Sequence, residues 1–303
     1  MLAASIVATT AIVAPAMAAP KVVASIKPVH SLAAAVMDGV ATPQLLLGAG
    51  ASPHGASLKP SQATALQDAD VVFWIGPDLE SFLEAPMATI AADARSVELE
   101  HAPGVTVLAP REGGTFDLHD DGDEADHADG HEEVDPHMWL DPANARAFVA
   151  AMADALSAVD PENAAKYAEN AEAEIARLDE LQAQLAQRLA PLAGKPFIVF
   201  HDAYHYFENR FGIEAAGSVT VSPELAPGAE RVAEIRQRIA EAGATCVFTE
   251  PQFPPRLVAT IIEGTDARTG ALDPLGSDLP DGPDLYPALL TGLADNLEKC
   301  LSR

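Results

Sequence analysis

Three histidines stand where the chain has reason to turn: His54 in Ala51-Ser52-Pro53-His54, His137 in Asp135-Pro136-His137-Met138-Trp139-Leu140, and His201 in Phe197-Ile198-Val199-Phe200-His201-Asp202. Asp273, in Ala271-Leu272-Asp273-Pro274-Leu275, occupies the same kind of place after an apolar run. Neutral imidazoles with one carboxylate make a borderline-soft tetrahedral set of the sort Zn²⁺ accepts, whereas Mg²⁺ and Ca²⁺ want oxygen cages and Mn²⁺ usually wants more carboxylate. Taken singly, a histidine beside proline is more often a turn or core residue than a ligand. Placed where a strand ends or a loop enters a helix, the four can converge on one crevice, because ligands of open α/β sheets bind beyond the carboxyl ends of the strands.

The elements that would position them follow βα grammar. Strands are expected at 22–26, 43–47, 70–75 and 105–108, with helices at 28–37, 61–67 and 79–90 between them. Asp141-Pro142 and Asp160-Pro161 each set a capping carboxylate before a proline at the first helical position, so two helices follow. The second, over 161–190, keeps Ile175, Leu178, Leu181, Leu185 and Leu189 on one face and would run about 45 Å, long enough to span two lobes. The grammar then restarts, with strands at 197–200, 245–249 and 268–272, helices at 203–211, 229–242 and 254–264, and a closing helix at 286–301. The expected fold is α/β: two doubly wound lobes joined by one long connecting helix, with a metal site in the interlobe cleft. Its divisions are a leader at 1–19, a first lobe at 20–159, the connecting helix at 160–190 and a second lobe at 191–303.

Within the first lobe, residues 112–135 lose all apolar periodicity and carry His119, His127 and His131 among many carboxylates. Such a stretch cannot fold alone. It reads as a low-affinity metal scavenger, with a plain solvated linker as the alternative. The uncharged residues 1–19 end in Ala16-Met17-Ala18-Ala19, a small-x-small cleavage pattern that points to an export signal, although a basic segment before Leu2 is missing and a buried N-terminal helix is the alternative. No later run is long and apolar enough to span a membrane. The net charge of −27 excludes a nucleic-acid or anionic-lipid surface, which needs a basic face. The two cysteines, Cys246 and Cys300, would tend to bridge in an oxidising compartment and tie the last helix to its sheet; two buried thiols are the other reading.

The ordered motifs resemble those of the zinc-specific, ZnuA-type substrate-binding proteins of bacterial ABC importers, within a wider cluster that also holds manganese binders. The resemblance covers nearly everything after the leader. It is carried by Ser25-Ile26-Lys27-Pro28-Val29-His30, Ser52-Pro53-His54 with Leu58-Lys59-Pro60-Ser61, Trp74-Ile75-Gly76-Pro77, the segment 135–140, Phe200-His201-Asp202-Ala203-Tyr204, Glu250-Pro251-Gln252-Phe253 and the segment 269–276. It implies that His54, His137 and His201 are the metal ligands, that the fourth is a carboxylate or water, and that the long helix is a semi-rigid connector. It implies too a periplasmic monomer that passes Zn²⁺ to an inner-membrane permease with its cytoplasmic ATPase, with a zinc metallochaperone as an open further partner. Some members of the zinc branch place a disulfide where the two cysteines fall, and members commonly carry a His-rich insert like the acidic loop.

One departure bears on the fourth ligand. Pro53 stands where some zinc-branch members carry a carboxylate, which leaves Asp273 or a water. His205, one helical turn after His201, is an outer partner, a spare ligand or an ordinary surface histidine; His30 and His101 receive no role. A manganese or other divalent-metal binder of the same family, a metal buffer or adhesin, and a zinc hydrolase are the competing readings. The last is disfavoured because there is no H-E-x-x-H helix and the available base, Glu250, lies in a motif that resembles a binding protein.

Overall fold

Runs of Val and Phe that are apolar at every position, such as Val71–Trp74, suit strands covered on both faces, and parallel sheets are built from them. A computed structural model describes residues 18–111, 116, 134–220, 223 and 227–302. In the first lobe β1 (Val22–Ala24), β2 (Gln44–Leu45), β3 (Val71–Trp74) and β4 (Arg95–Glu98) form a parallel sheet in the order β2-β1-β3-β4. Helices α1 (Lys27–Val36), α2 (Pro60–Gln67) and α3 (Ser81–Thr89) make the crossovers. Proline in the first turn starts α1 and α2, where its missing N–H costs nothing.

Two helices follow, α4 (Pro142–Val159) and α5 (Ala164–Leu189). Asp141 caps α4 by accepting from the Ala143 N–H at 2.7 Å. The 26 residues of α5 extend about 39 Å and bury Tyr167, Leu178, Leu181, Leu185 and Leu189. The second lobe contains β5 (Phe197–His201), α6 (His205–Phe211), β6 (Ala215–Thr220), α7 (Ala229–Ala242), β7 (Cys246–Thr249), α8 (Arg256–Ile262), β8 (Arg268–Ala271) and α9 (Leu285–Leu301). Its sheet runs β6-β5-β7-β8, so both lobes repeat one winding: the second strand, then the first, third and fourth. This is the two-lobed α/β architecture with one long helix that the pattern implied.

One apolar cluster joins the lobes. It passes from Val22 and Ala24 in β1 through Leu178 and Leu185 in α5 to Phe197 in β5 and Leu293 in α9. Polar ties cross with it: Lys27 Nζ donates to the carbonyls of Ser277 (3.2 Å) and Leu279 (2.7 Å), the Tyr286 N–H donates to Ser31 Oγ (2.9 Å), and Trp139 Nε1 donates to the Pro274 carbonyl (2.8 Å). Cys246 and Cys300 form a disulfide that fastens α9 to β7. Among the described residues no helix is long and apolar enough to cross a membrane.

Two strand expectations need correction. Residues 105–108 pair with no strand; the N–H of Thr106 goes to Asn144 Oδ1 (2.7 Å) and that of Leu108 to the Tyr206 hydroxyl (2.9 Å). The edge strand is instead Arg95–Glu98, whose polar composition fits an edge but hides it from a search for apolar runs. β6 was not expected either, because Ala-Ala-Gly-Ser-Val-Thr lacks the bulk that marks a strand.

Glu80 braces the turn after β3. Its Oε2 accepts from the N–H groups of Ile75 (2.9 Å) and Gly76 (3.2 Å) in a fully buried place. Burial, opposed by hydrogen bonds from Ser25, Gly76 and Ile75 and aided by the nearby Glu100, pushes its carboxyl from 4.5 up to about 7. Between those values the folded chain holds a proton that the unfolded chain has released, so stability falls as pH rises through that window and stays low above it. Glu80→Gln, which keeps an acceptor for both N–H groups, is expected to remove that slope and to gain up to about 3 kcal/mol at pH 8, at about 1.4 kcal/mol per pKa unit. Urea unfolding of both proteins at several pH values checks it; equal slopes would show that Glu80 ionises freely.

Candidate metal centre

Each histidine of the set is delivered by a strand end or a tight turn. The chain leaving β2 still pairs with β1 through Leu46 N–H to Ala24 and Leu47 N–H to Ser25, both 2.8 Å, before the Gly-rich loop that presents His54. His137 precedes the 3-10 turn Met138–Leu140 and lies against Trp139, ring centroids 5.4 Å apart. His201 is the last residue of β5. The Nε2 atoms of His54 and His137 lie 3.1 Å apart, and those of His137 and His201 3.3 Å. One ligand atom from each of the three falls within 4.8 Å of the others. A tetrahedral centre with Zn–N bonds near 2.0–2.1 Å sets its nitrogens about 3.3–3.4 Å apart, so the spacing fits a Zn²⁺ ion with little movement.

Two of the rings are aimed by carboxylates. Asp135 Oδ1 accepts from His137 Nδ1 at 2.8 Å and from its backbone N–H at 3.0 Å, while Glu250 Oε1 accepts from His201 Nδ1 at 2.8 Å and from its N–H at 3.3 Å. A hydrogen on Nδ1 leaves the Nε2 lone pair free to ligate and makes it a stronger donor. The electrostatics follow the partners. Burial pulls His201 down, yet the charge and hydrogen bond of Glu250, with Asp202 and Asp135 beyond, raise it overall. His54 has no comparable partner, and burial together with the neighbouring His137 and His201 pushes it down to about 2. Burial opposes ionisation of Asp135, but the hydrogen bonds from His137, with His205 close by, hold it well below the usual carboxylate range.

The remaining candidates are placed differently. Asp273 is not in the histidine group: its carboxylate accepts from Gln252 Nε2 (2.8 Å), the N–H of Leu275 (3.1 Å) and that of Ser277 (2.5 Å), and so stabilises its own turn. His205 approaches Asp135 Oδ2 at 3.6 Å and buttresses the carboxylate rather than joining the ligand group. His30 is buried with Nε2 3.0 Å from the Pro43 carbonyl. His119, His127 and His131 lie outside the described residues. Around the three nitrogens, a lining that includes Glu250 and Gln252 beside Pro53, Trp139, Phe253 and Leu275 leaves about 10 Å³ of space, roughly what one water needs.

Asp135 and Glu250 were missed as aiming groups. For Asp135 the signal was present, since two residues before a histidine is within reach of its Nδ1. Glu250 required knowing that β7 lies beside β5, which brings the residue after β7 next to the end of β5. Asp135→Asn and Glu250→Gln are each expected to weaken Zn²⁺ binding by about 10–100-fold with the fold intact, the usual cost of an outer carboxylate. Competition against a chromophoric chelator measures it; unchanged affinity would mean the rings are held by packing alone.

Two parallel α/β lobes backed by one long helix, with imidazoles meeting between them at strand ends, define a two-lobed solute-binding protein of the metal-binding type. The family model described as zinc-uptake complex component A, periplasmic, matches residues 22–300, and the chain belongs to that family. It is 51% identical over 306 residues to the high-affinity zinc uptake system protein ZnuA of Brucella suis biovar 1 (strain 1330), covering 93% of this chain and 92% of that one. With the protein of the same description from Yersinia pestis the identity is 38% over 298 residues, covering 94% and 92%. A crystal structure of ZnuA superposes with a TM-score of 0.79 at 25% identity over 93% of this chain and 99% of that chain. The periplasmic zinc-binding protein TroA from Treponema pallidum, at 22% identity and a TM-score of 0.79 over 94% of this chain and 99% of that one, shares the fold.

Proposed function

We propose that this chain captures Zn²⁺ in the periplasm with His54, His137 and His201 and delivers it to the membrane permease of an ABC importer powered by a cytoplasmic ATPase. The observation that carries the reading is the approach of three Nε2 atoms from three separate stretches of chain, two of them aimed by buried carboxylates. With Asp273 committed to its own turn, the fourth position goes to a water molecule, for which the space beside the three nitrogens is sufficient. Zinc is favoured over manganese because the ligand group is three imidazole nitrogens. The relatives in Brucella and Yersinia bear the name of high-affinity zinc uptake proteins.

A receptor is favoured over a hydrolase because the family the chain matches is a zinc-uptake component and no H-E-x-x-H helix accompanies the histidines. Residues 1–19 act as the export signal, residues 20–159 and 191–303 as the lobes, and 160–190 as the connecting helix of a monomeric receptor. His119, His127 and His131 raise the local concentration of zinc near the cleft, and a zinc metallochaperone exchanges metal with the same receptor. Protein recovered from the periplasm without chelator or affinity tag should carry stoichiometric zinc and no manganese by elemental analysis. Manganese in its place would overturn the assignment of the cargo, and metal-free protein from zinc-replete cells the assignment of a tight site.

A further inference from the structure

We infer that Glu98, Glu100 and His101 form a second, weaker Zn²⁺ site on the flank of the first lobe, separate from the interlobe centre. β4 ends at Glu98 and the chain enters a 3-10 turn, Leu99–His101, that folds these side chains together. Glu98 Oε2 and Glu100 Oε1 each lie 3.7 Å from His101 Nε2, and one ligand atom from each residue falls within 4.8 Å of the others. The sheet order places β4 at the edge opposite β2, after which His54 follows, so the two groups stand at opposite edges of the first sheet.

Glu100 supplies an independent observation. It is only 8% exposed, and its Oε2 has no hydrogen-bond partner among the described residues. Its turn is pinned to the end of β3 by the Glu100 N–H on the Ile75 carbonyl (3.0 Å), and its carboxylate rests against Gly76, where any side chain would collide with it. Burial, opposed by His101 and aided by Asp78 and Glu98, raises its carboxyl above the usual range. Within the described residues, ion pairs to Glu98 and Glu100 come only from His101, and neither carboxylate meets a Lys or Arg. A buried carboxylate in this position is costly unless it is paired or coordinates a metal.

One imidazole and two carboxylates with room for water suit Zn²⁺, which accepts nitrogen and oxygen donors at similar distances; the imidazole tells against Ca²⁺ and Mg²⁺. Affinity is lower than at the interlobe centre because the His101 side chain is 75% exposed and no buried carboxylate aims its ring. The site therefore loads after the first is filled and holds zinc loosely on the receptor's surface.

The test uses the full chain with His54, His137, His201, His119, His127 and His131 changed to Ala, and with Asp135→Asn and Glu250→Gln so that no buried carboxylate is stranded. Its fold is checked by circular dichroism, and it is then titrated with Zn²⁺ by calorimetry and with Co²⁺ by visible absorption. Weak residual binding is expected. Adding His101→Ala or Glu98→Gln, both at exposed or half-exposed positions and harmless to the fold, should lower it by about tenfold or more. In the otherwise native chain the same two changes should leave the tight zinc affinity untouched, which separates this site from the interlobe one. No residual binding, or residual binding that neither change moves, would overturn the inference.

Discussion

His201→Ala is expected to abolish high-affinity zinc binding, weakening it well beyond the roughly 100-fold that an outer carboxylate contributes. The residue combines properties the other two histidines do not share. It sits on a strand whose neighbours β6 and β7 pin it in register, so its ring cannot be replaced by a small shift of a loop. Its removal also takes from Glu250 its ring donor, leaving only the backbone N–H of residue 201, and places a poorly paired buried charge beside the incoming ion. That second effect could mask the first by unfolding the lobe. The double variant His201→Ala with Glu250→Gln neutralises the stranded carboxylate, and it should recover the stability without recovering zinc affinity. Competition titrations and urea unfolding run side by side decide the matter; zinc affinity within tenfold of the native value in a folded His201→Ala protein would remove His201 from the ligand set.

Cys246→Ala with Cys300→Ala is expected to cost about 4 kcal/mol, the chain-entropy value for closing a segment of this length. The bridge spans 54 residues and both partners are buried, so the reduced chain gains much freedom when unfolded while the native packing loses two sulfur atoms. Cys246 opens β7, whereas Glu250 follows its end, so the bridge lies at the opposite end of the strand from the histidines. Zinc affinity should therefore hold while the denaturation midpoint falls, and a reducing agent should reproduce the drop in the native protein. A midpoint that neither treatment changes would show that α9 is held by its apolar face alone.

The parts of the fold that could be read from the sequence are those whose residues face one environment throughout. Val71–Trp74 and Phe197–His201 are buried along their lengths, Cys246–Thr249 at all but its last residue, and α5 carries a clean apolar stripe. β4 escaped because an edge strand needs no apolar run, and β6 because small residues pack between larger neighbours without announcing a strand. At the candidate site the histidines stood out through their turns and motifs. Asp273 looked equivalent to them because, like His201, it comes at the end of a strand. What separates it is a pair of partners, Gln252 and Ser277, whose proximity only the folded turn creates. Glu250 is the reverse case: its bond to His201 exists because β5 and β7 are neighbours, a fact about topology rather than local sequence.

The closing element of the chain, α9, lies against the first helix, α1, and against α5, so the two ends of the sequence cover one another. One face of the amino-terminal sheet, packed under α2 and α3, is complete within the first lobe, whereas the other takes its cover in part from the closing helix and is finished only by the far end of the chain.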